Sequence, residues 1–172
     1  MKLTDSLKAA FEKQITLEFQ ASLAYRQFAI DMDAQDLPGM ASWLRRQADE
    51  EIVHANKFID HVLDRGSRPV IGAVEAQTPA VDPTPLSVFQ AAQAHEEKVS
   101  ASIRDLYKAA EAEGDLDARP LLNWFIEEQI EEEATVSEIV ATIERVDNDG
   151  PGLLRIDENL GQRAVGTTEP SA

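Results

Sequence analysis

The chain contains no cysteine, which excludes disulfide cross-links, thiolate metal sites and a cysteine nucleophile together. No segment approaches the ~18 consecutive apolar residues of a membrane span. The first turns of the sequence carry Asp5, Glu12 and Glu18 and no apolar run, so no secretory signal is legible and a cytoplasmic location is expected. Basic residues are scarce: 16 Lys plus Arg stand against 32 Asp plus Glu, a formal charge of −16. Such a chain is a poor partner for nucleic-acid phosphates or an anionic membrane, and neither is expected; its natural small partners are cations. The 172 residues amount to one domain, with 43% hydrophobic and 28% charged residues, enough to bury a sizeable core.

Glycine and proline, 8 of each, are few and clustered. Most fall at Leu37-Pro38-Gly39, from Gly66 to Pro85, at Gly114 to Pro120, and at Gly150-Pro151-Gly152, and Gly161 opens the tail. The long gaps between clusters predict helices over 4–33, 37–65, 84–113 and 117–148, with a short fifth helix over 151–160. Asp36 is the expected cap of the second helix, and Thr84 followed by Pro85 that of the third. Gly66, Gly114 and Gly161 are expected at left-handed C-terminal positions. The domain is expected over 1–161, with a loose polar tail over 162–172.

Short links make the first and second helices, and the third and fourth, antiparallel pairs. The second and third are separated by about twenty residues. A helix of ~27 residues is ~40 Å long, and twenty extended residues reach ~66 Å. The link can therefore return along the bundle and start the third helix parallel to the second. The predicted fold is all-α: a four-helix bundle with one long crossover and a short fifth helix.

Bundle-facing positions step by threes and fours. They read Leu7, Phe11, Gln14, Glu18, Ala21, Tyr25, Phe28, Met32 on the first helix, and Met40, Leu44, Gln47, Glu51, His54, Phe58, His61, Arg65 on the second. The third gives Pro85, Phe89, Ala92, Glu96, Val99, Ile103, Leu106, Ala110, and the fourth Leu122, Phe125, Gln129, Glu132, Val136, Ile139, Ile143, Val146. Each stripe has one carboxylate near its middle: Glu18, Glu51, Glu96 and Glu132. Packing the helices side by side brings these acids together, with His54 one turn beyond Glu51. Ionised carboxylates in an apolar interior are too costly to leave unbalanced, and no Lys or Arg lies on the middle of any stripe. Two divalent cations would balance four carboxylates, and oxygen-rich ligation with one imidazole suits iron(II), manganese or zinc better than copper. Gln129 reads as an outer partner of the ligands. Tyr25 reads as core or as a hydrogen-bond partner of a ligand, and His61 and His95 as ordinary histidines. A neighbouring acidic set, Glu50, Glu128 and Glu131, reads either as a solvated face or as an accessory cation site.

Gln14-Ile15-Thr16-Leu17-Glu18 with Tyr25, Glu50-Glu51-Ile52-Val53-His54, His95-Glu96 and Glu128-Gln129-Ile130-Glu131-Glu132-Glu133, in this order and spacing, resemble the non-haem bacterial ferritins over roughly 3–160. The resemblance implies a ferroxidase centre. Glu18, Glu51 and His54 would hold the first iron, and Glu51 would bridge to a second held by Glu96 and Glu132. Gln129 would sit near the oxygen-binding side and Tyr25 close to the first iron. Glu50, Glu128 and Glu131, sharing Glu132, would form a third iron site. It also implies a homo-oligomeric shell of twenty-four subunits that oxidises iron with dioxygen or hydrogen peroxide and stores the ferric mineral.

Two departures from relatives sharpen the expectation. Glu132 is followed three residues later by Thr135, not by the His of symmetric di-iron centres. Ile52 follows the bridging Glu where bacterioferritins carry their haem-binding Met, so no haem is expected. The alternatives are a di-iron oxidase or peroxidase without storage, which would run as a monomer or dimer, and a non-enzymatic acidic helical bundle that binds partners through its surface.

Overall fold

In the computed structural model, which describes residues 2–75, 77, 81–147 and 149–162, the chain forms α1 (Asp5–Asp33), α2 (Pro38–Asp64), α3 (Pro85–Ala112), α4 (Arg119–Val146) and α5 (Gly150–Gln162). A single 3-10 turn, Leu116–Ala118, leads into α4. There is no strand among the described residues. The expected helices are all present, with ends within two residues of the predicted ones. The expected loose tail lies outside the described residues, except that Gln162 closes α5.

Local chemistry explains most of the boundaries. Thr4 caps α1 by accepting from the Leu7 amide at 3.1 Å. Thr84 and Ser87 form a reciprocal capping box at the start of α3, with Pro85 in the first turn. Gly66 and Gly114 take the left-handed conformation just past α2 and α3, at φ +69° and +70°. Asp115 accepts from the Ala118 amide at 3.1 Å and starts the turn before α4.

Two expectations are corrected. Asp36 does not cap α2; it is a left-handed turn residue at φ +58°. The residue preceding the helix is Leu37, with no side-chain cap, and the Met40 amide instead donates to Asp157 Oδ1 on α5 at 2.7 Å. Gly161 does not end a helix but lies inside α5. There it lets α5 cross α2, since a Cβ on Gly161 would stand 3.1 Å from the Gly39 Cα.

The core is split into two apolar clusters. One joins the starts of α2 and α3 (Met40, Leu44, Val88, Phe89) to the ends of α1 and α4 (Ala29, Met32, Ile139, Ile143) and to Ile156 and Leu160 of α5. The other joins the starts of α1 and α4 (Leu7, Phe11, Leu122, Phe125) to the ends of α2 and α3 (Phe58, Val62, Ile103, Leu106). Helices α2 and α3 therefore run parallel, and α1 and α4 run opposite to them, as the long crossover requires. The crossover is strapped to α1: the Val70 amide donates to Glu12 and the Gly72 amide to Thr16, both at 2.8 Å. Every stripe residue is buried except Phe28, His61, Arg65, Pro85, Glu132 and Val146, which are half-buried. A polar layer at the middle of the bundle separates the two apolar clusters.

Candidate metal centre

The polar layer arises because helices of nearly equal length, packed in register, bring their midpoints to one level. Glu18 of α1, Glu51 and His54 of α2 and Glu96 of α3 are 0%, 4%, 3% and 1% exposed, and Glu132 of α4 is half-buried. Glu18, Glu51 and His54 each bring one ligand atom within 4.8 Å of the others. Glu51 also feels the charges of Glu96 and Glu132.

Neutral donors grip one oxygen of several of these acids. Gln14 Nε2 donates to Glu18 Oε1 at 2.8 Å, and Gln47 Nε2 to Glu132 Oε2 at 3.0 Å. The Tyr25 hydroxyl donates to Glu96 Oε1. Gln129 Nε2 reaches Glu96 Oε2 and Ser100 Oγ, each at 3.2 Å. His54 Nδ1 lies 3.2 Å from Glu51 Oε2. The His54 ring stands edge-on to Trp124 and Phe125, at 5.7 and 5.5 Å between centroids, and Phe125 stacks on Phe58 at 4.0 Å.

This grip leaves Glu18 Oε2 and His54 Nε2 buried without a hydrogen-bond partner. Buried polar atoms ordinarily have partners, and two such atoms beside a cluster of acids fit a cation-binding site. Burial first, and then the charge of Glu51, push the Glu18 carboxyl well above its ordinary range. Burial, then Glu96 and Glu132, do the same to Glu51. Burial leads again for Glu132, followed by Glu96; it also raises Glu96, against hydrogen bonds from Tyr25 and Gln129. Burial and the adjacent carboxylates push the Tyr25 phenol up as well. A cluster of acids that resists ionisation together exchanges protons for cations when cations bind.

A second group adjoins the first: Glu50, His54 and Glu128 also place ligand atoms within 4.8 Å of one another. Glu128 is buried and raised, by burial first and also by Glu50, while His54 and Lys57 oppose the shift. Glu131, the third residue of the expected accessory set, is exposed and outside this group. His54 therefore belongs to both groups. His61 packs on Phe11 at 5.1 Å and His95 stands edge-on to Tyr25 at 6.3 Å; neither joins a cation group. The sequence reading overlooked the holding roles of Gln14 and Gln47 and the aromatic clamp on His54. Their signals were an amide one turn before Glu18 and another before Glu51, and an aromatic pair one turn before Glu128.

Comparison with known proteins bears on this geometry. Residues 8–146 match the family described as a ferritin-like domain. The bacterial non-heme ferritin of Bacteroides fragilis (strain 638R) is 33% identical over 161 residues, covering 94% of this chain and 99% of that one. The corresponding protein of Escherichia coli O6:H1 is 32% identical over 149 residues, covering 86% and 89%. Among solved structures, an open-pore ferritin from the hyperthermophilic archaeon Archaeoglobus fulgidus superposes with a TM-score of 0.91 at 33% identity, over 94% of this chain and 98% of that one.

Proposed function

The chain belongs to the ferritin-like family, and from that premise we propose that it stores iron, oxidising Fe(II) at the buried carboxylate centre and depositing the ferric product inside a shell of like subunits. The observation that carries the reading is the pair of unpartnered ligand atoms, Glu18 Oε2 and His54 Nε2, in a cluster of acids with no Lys or Arg bonded to it among the described residues.

Fe(II) is the substrate. Glu18, Glu51 and His54 bind the first ion; Glu51 spans to the second, which Glu96 and Glu132 complete. Two divalent ions balance four carboxylates, and the protons that the acids hold in the metal-free state leave as the ions enter. Each Fe(II) gives up one electron, and the two together reduce dioxygen to hydrogen peroxide or peroxide to water. Fe(III) is the stronger Lewis acid, so its bound water loses protons readily and hydrolysis to oxo-hydroxide follows. Gln129 and Tyr25 hold Glu96 in place through their hydrogen bonds. Glu50 and Glu128, with His54 between the two groups, receive a further ion beside the pair.

Assembly into a closed shell, with twenty-four subunits as the expected number, is supported by apolar side chains left about half exposed along α1, α2 and the crossover: Leu23, Ile30, Leu63, Val70 and Ile71. No described helix is long and apolar enough to cross a membrane.

The test is stopped-flow oxidation of Fe(II) by the wild type and by Glu51→Ala, with size measured in parallel. Fast oxidation that is lost in the variant, in particles of roughly half a megadalton (twenty-four 19.0 kDa chains), is the expected result. Unchanged rates in Glu51→Ala overturn the site assignment. A monomer or dimer that still oxidises iron overturns storage in favour of a di-iron oxidase.

A further inference from the structure

We propose that Gln14 is a positioning residue that presents Glu18 to the first Fe(II) through a single oxygen, and that Ser102 sets the direction of its amide. The inference rests on the iron-oxidising reading above and deepens it.

Gln14 is 1% exposed and lies one helical turn before Glu18, so the two side chains share a face of α1. Its amide is held at both ends. Nε2 donates to Glu18 Oε1 at 2.8 Å, and Oε1 accepts from Ser102 Oγ on α3 at 2.6 Å. The polarity of this chain is fixed by chemistry. With the ion bound, Glu18 is ionised and only accepts, so the amide then turns its NH2 toward Glu18; its oxygen faces Ser102, whose hydroxyl donates. The chain Ser102 to Gln14 to Glu18 thus runs in one direction and occupies one carboxylate oxygen. The other, Oε2, is the buried atom without a partner, in the group with Glu51 and His54.

Without this hold, the terminal torsion of a glutamate is broad and two-fold. Packing alone does not call for an amide here: the stripe on its N-terminal side is Phe11 and Leu7, and an apolar side chain of similar size avoids burying polar atoms. Gln47 and Gln129 reach across helices to their acids. Gln14 grips its own helix's acid, and α3 then ties that pair across the bundle. Gln14 and Ser102 both line an open cleft of about 820 Å³ between α1, the crossover and α3. Ser102 is therefore a site where a small substitution leaves the packing of α1 intact.

The test is anaerobic calorimetric titration of the assembled protein with Fe(II), for wild type, Gln14→Leu, Ser102→Ala and Ser102→Thr, with thermal midpoints taken alongside. Gln14→Leu is expected to weaken one of the two tight ions about 10–100-fold, the range for loss of a residue that orients a metal ligand, and to leave the other unchanged. Ser102→Ala should weaken the same ion by less, and Ser102→Thr, which keeps the hydroxyl, should restore it. The proposal is overturned if Gln14→Leu and Ser102→Ala bind as wild type does. It is also overturned if both ions weaken alike with no rescue by Ser102→Thr, which is the mark of general packing. If Gln14→Leu fails to assemble, the two Ser102 variants decide alone. A wild type that binds no Fe(II) refutes the iron-oxidising reading, and this inference with it, a result distinct from variants that match a competent wild type.

Discussion

Replacing Glu51 by glutamine should make the metal-free protein more stable while removing its capacity for paired iron. Glu51 is buried, and its carboxylate lies within 4.8 Å of a Glu18 oxygen, with Glu96 and Glu132 also acting on it. At an effective dielectric of about 20, two unit charges at this separation repel by about 3 kcal/mol. The wild type avoids part of that cost by retaining protons, so we expect glutamine to gain about 1–3 kcal/mol at neutral pH. For a chain of this size that is about 2–12 °C in the thermal midpoint. The sign with pH follows from the direction of the shift. The folded-state carboxyl of Glu51 titrates well above its ordinary value of 4.5. Its favourable contribution is therefore fully present below the unfolded value and lost as pH rises through the folded one. Glutamine does not titrate, so the gap between variant and wild type should be small at pH 5 and open by pH 7.5. Added divalent cation reverses the order, because ligand at a hundred times its dissociation constant stabilises by about 2.7 kcal/mol and the variant lacks the bridging ligand. The assay is differential scanning calorimetry of chelator-treated protein at one fixed concentration. A metal-free Glu51→Gln variant less stable than wild type at pH 7.5, or a gap that does not depend on pH, would refute the reasoning.

Two further predictions concern the scaffold. Asp157→Ala removes the acceptor for the Met40 amide and should cost about 0.5–2 kcal/mol, the range for a lost helix cap; hydrogen exchange should quicken in α5 and the first turn of α2 while the bundle midpoint stays protected. Arg65→Met leaves Asp115 buried without the guanidinium that now bonds it at 2.6 Å and should cost about 3–5 kcal/mol at neutral pH. Burial alone would raise the Asp115 carboxyl, but the Arg65 hydrogen bond and charge, with the Ala118 and Asp117 amides, outweigh it and hold it below 3.8. The contribution of that pair is thus present above the unfolded value and fades as pH falls, so melting curves of Arg65→Met and wild type should converge in acid.

The helices, the crossover and the four central acids were legible because each rests on periodicity or on punctuation by glycine and proline, which are local properties. Glu18, Glu51, Glu96 and Glu132 lie on predicted stripes, and equal helix lengths place them at one level. The cap of α2 was not legible because its acceptor, Asp157, comes from α5, far away in the chain; Asp36 had the right residue type but a left-handed backbone. Gly161 was misplaced because a glycine needed for a close helix crossing looks the same in sequence as one that ends a helix. In the accessory group the structure sets His54, one turn from Glu50, beside Glu50 and Glu128, while Glu131 is exposed and acts on Glu128 through its charge. Which of two neighbouring acids turns inward depends on how α4 packs on α2, and the stripes alone do not fix that rotation. The holding amides were visible as residues, but which acid each one grips is a tertiary fact: Gln47 precedes Glu51 and holds Glu132.

The central claim is that the buried acids are a place for two iron ions. Anomalous diffraction at the iron edge, from crystals of the assembled protein soaked anaerobically with Fe(II), tests it most directly. The account predicts two peaks per subunit, one among Glu18, Glu51 and His54 and one among Glu51, Glu96 and Glu132. Iron found only on exposed acids, with none inside the bundle, would contradict it.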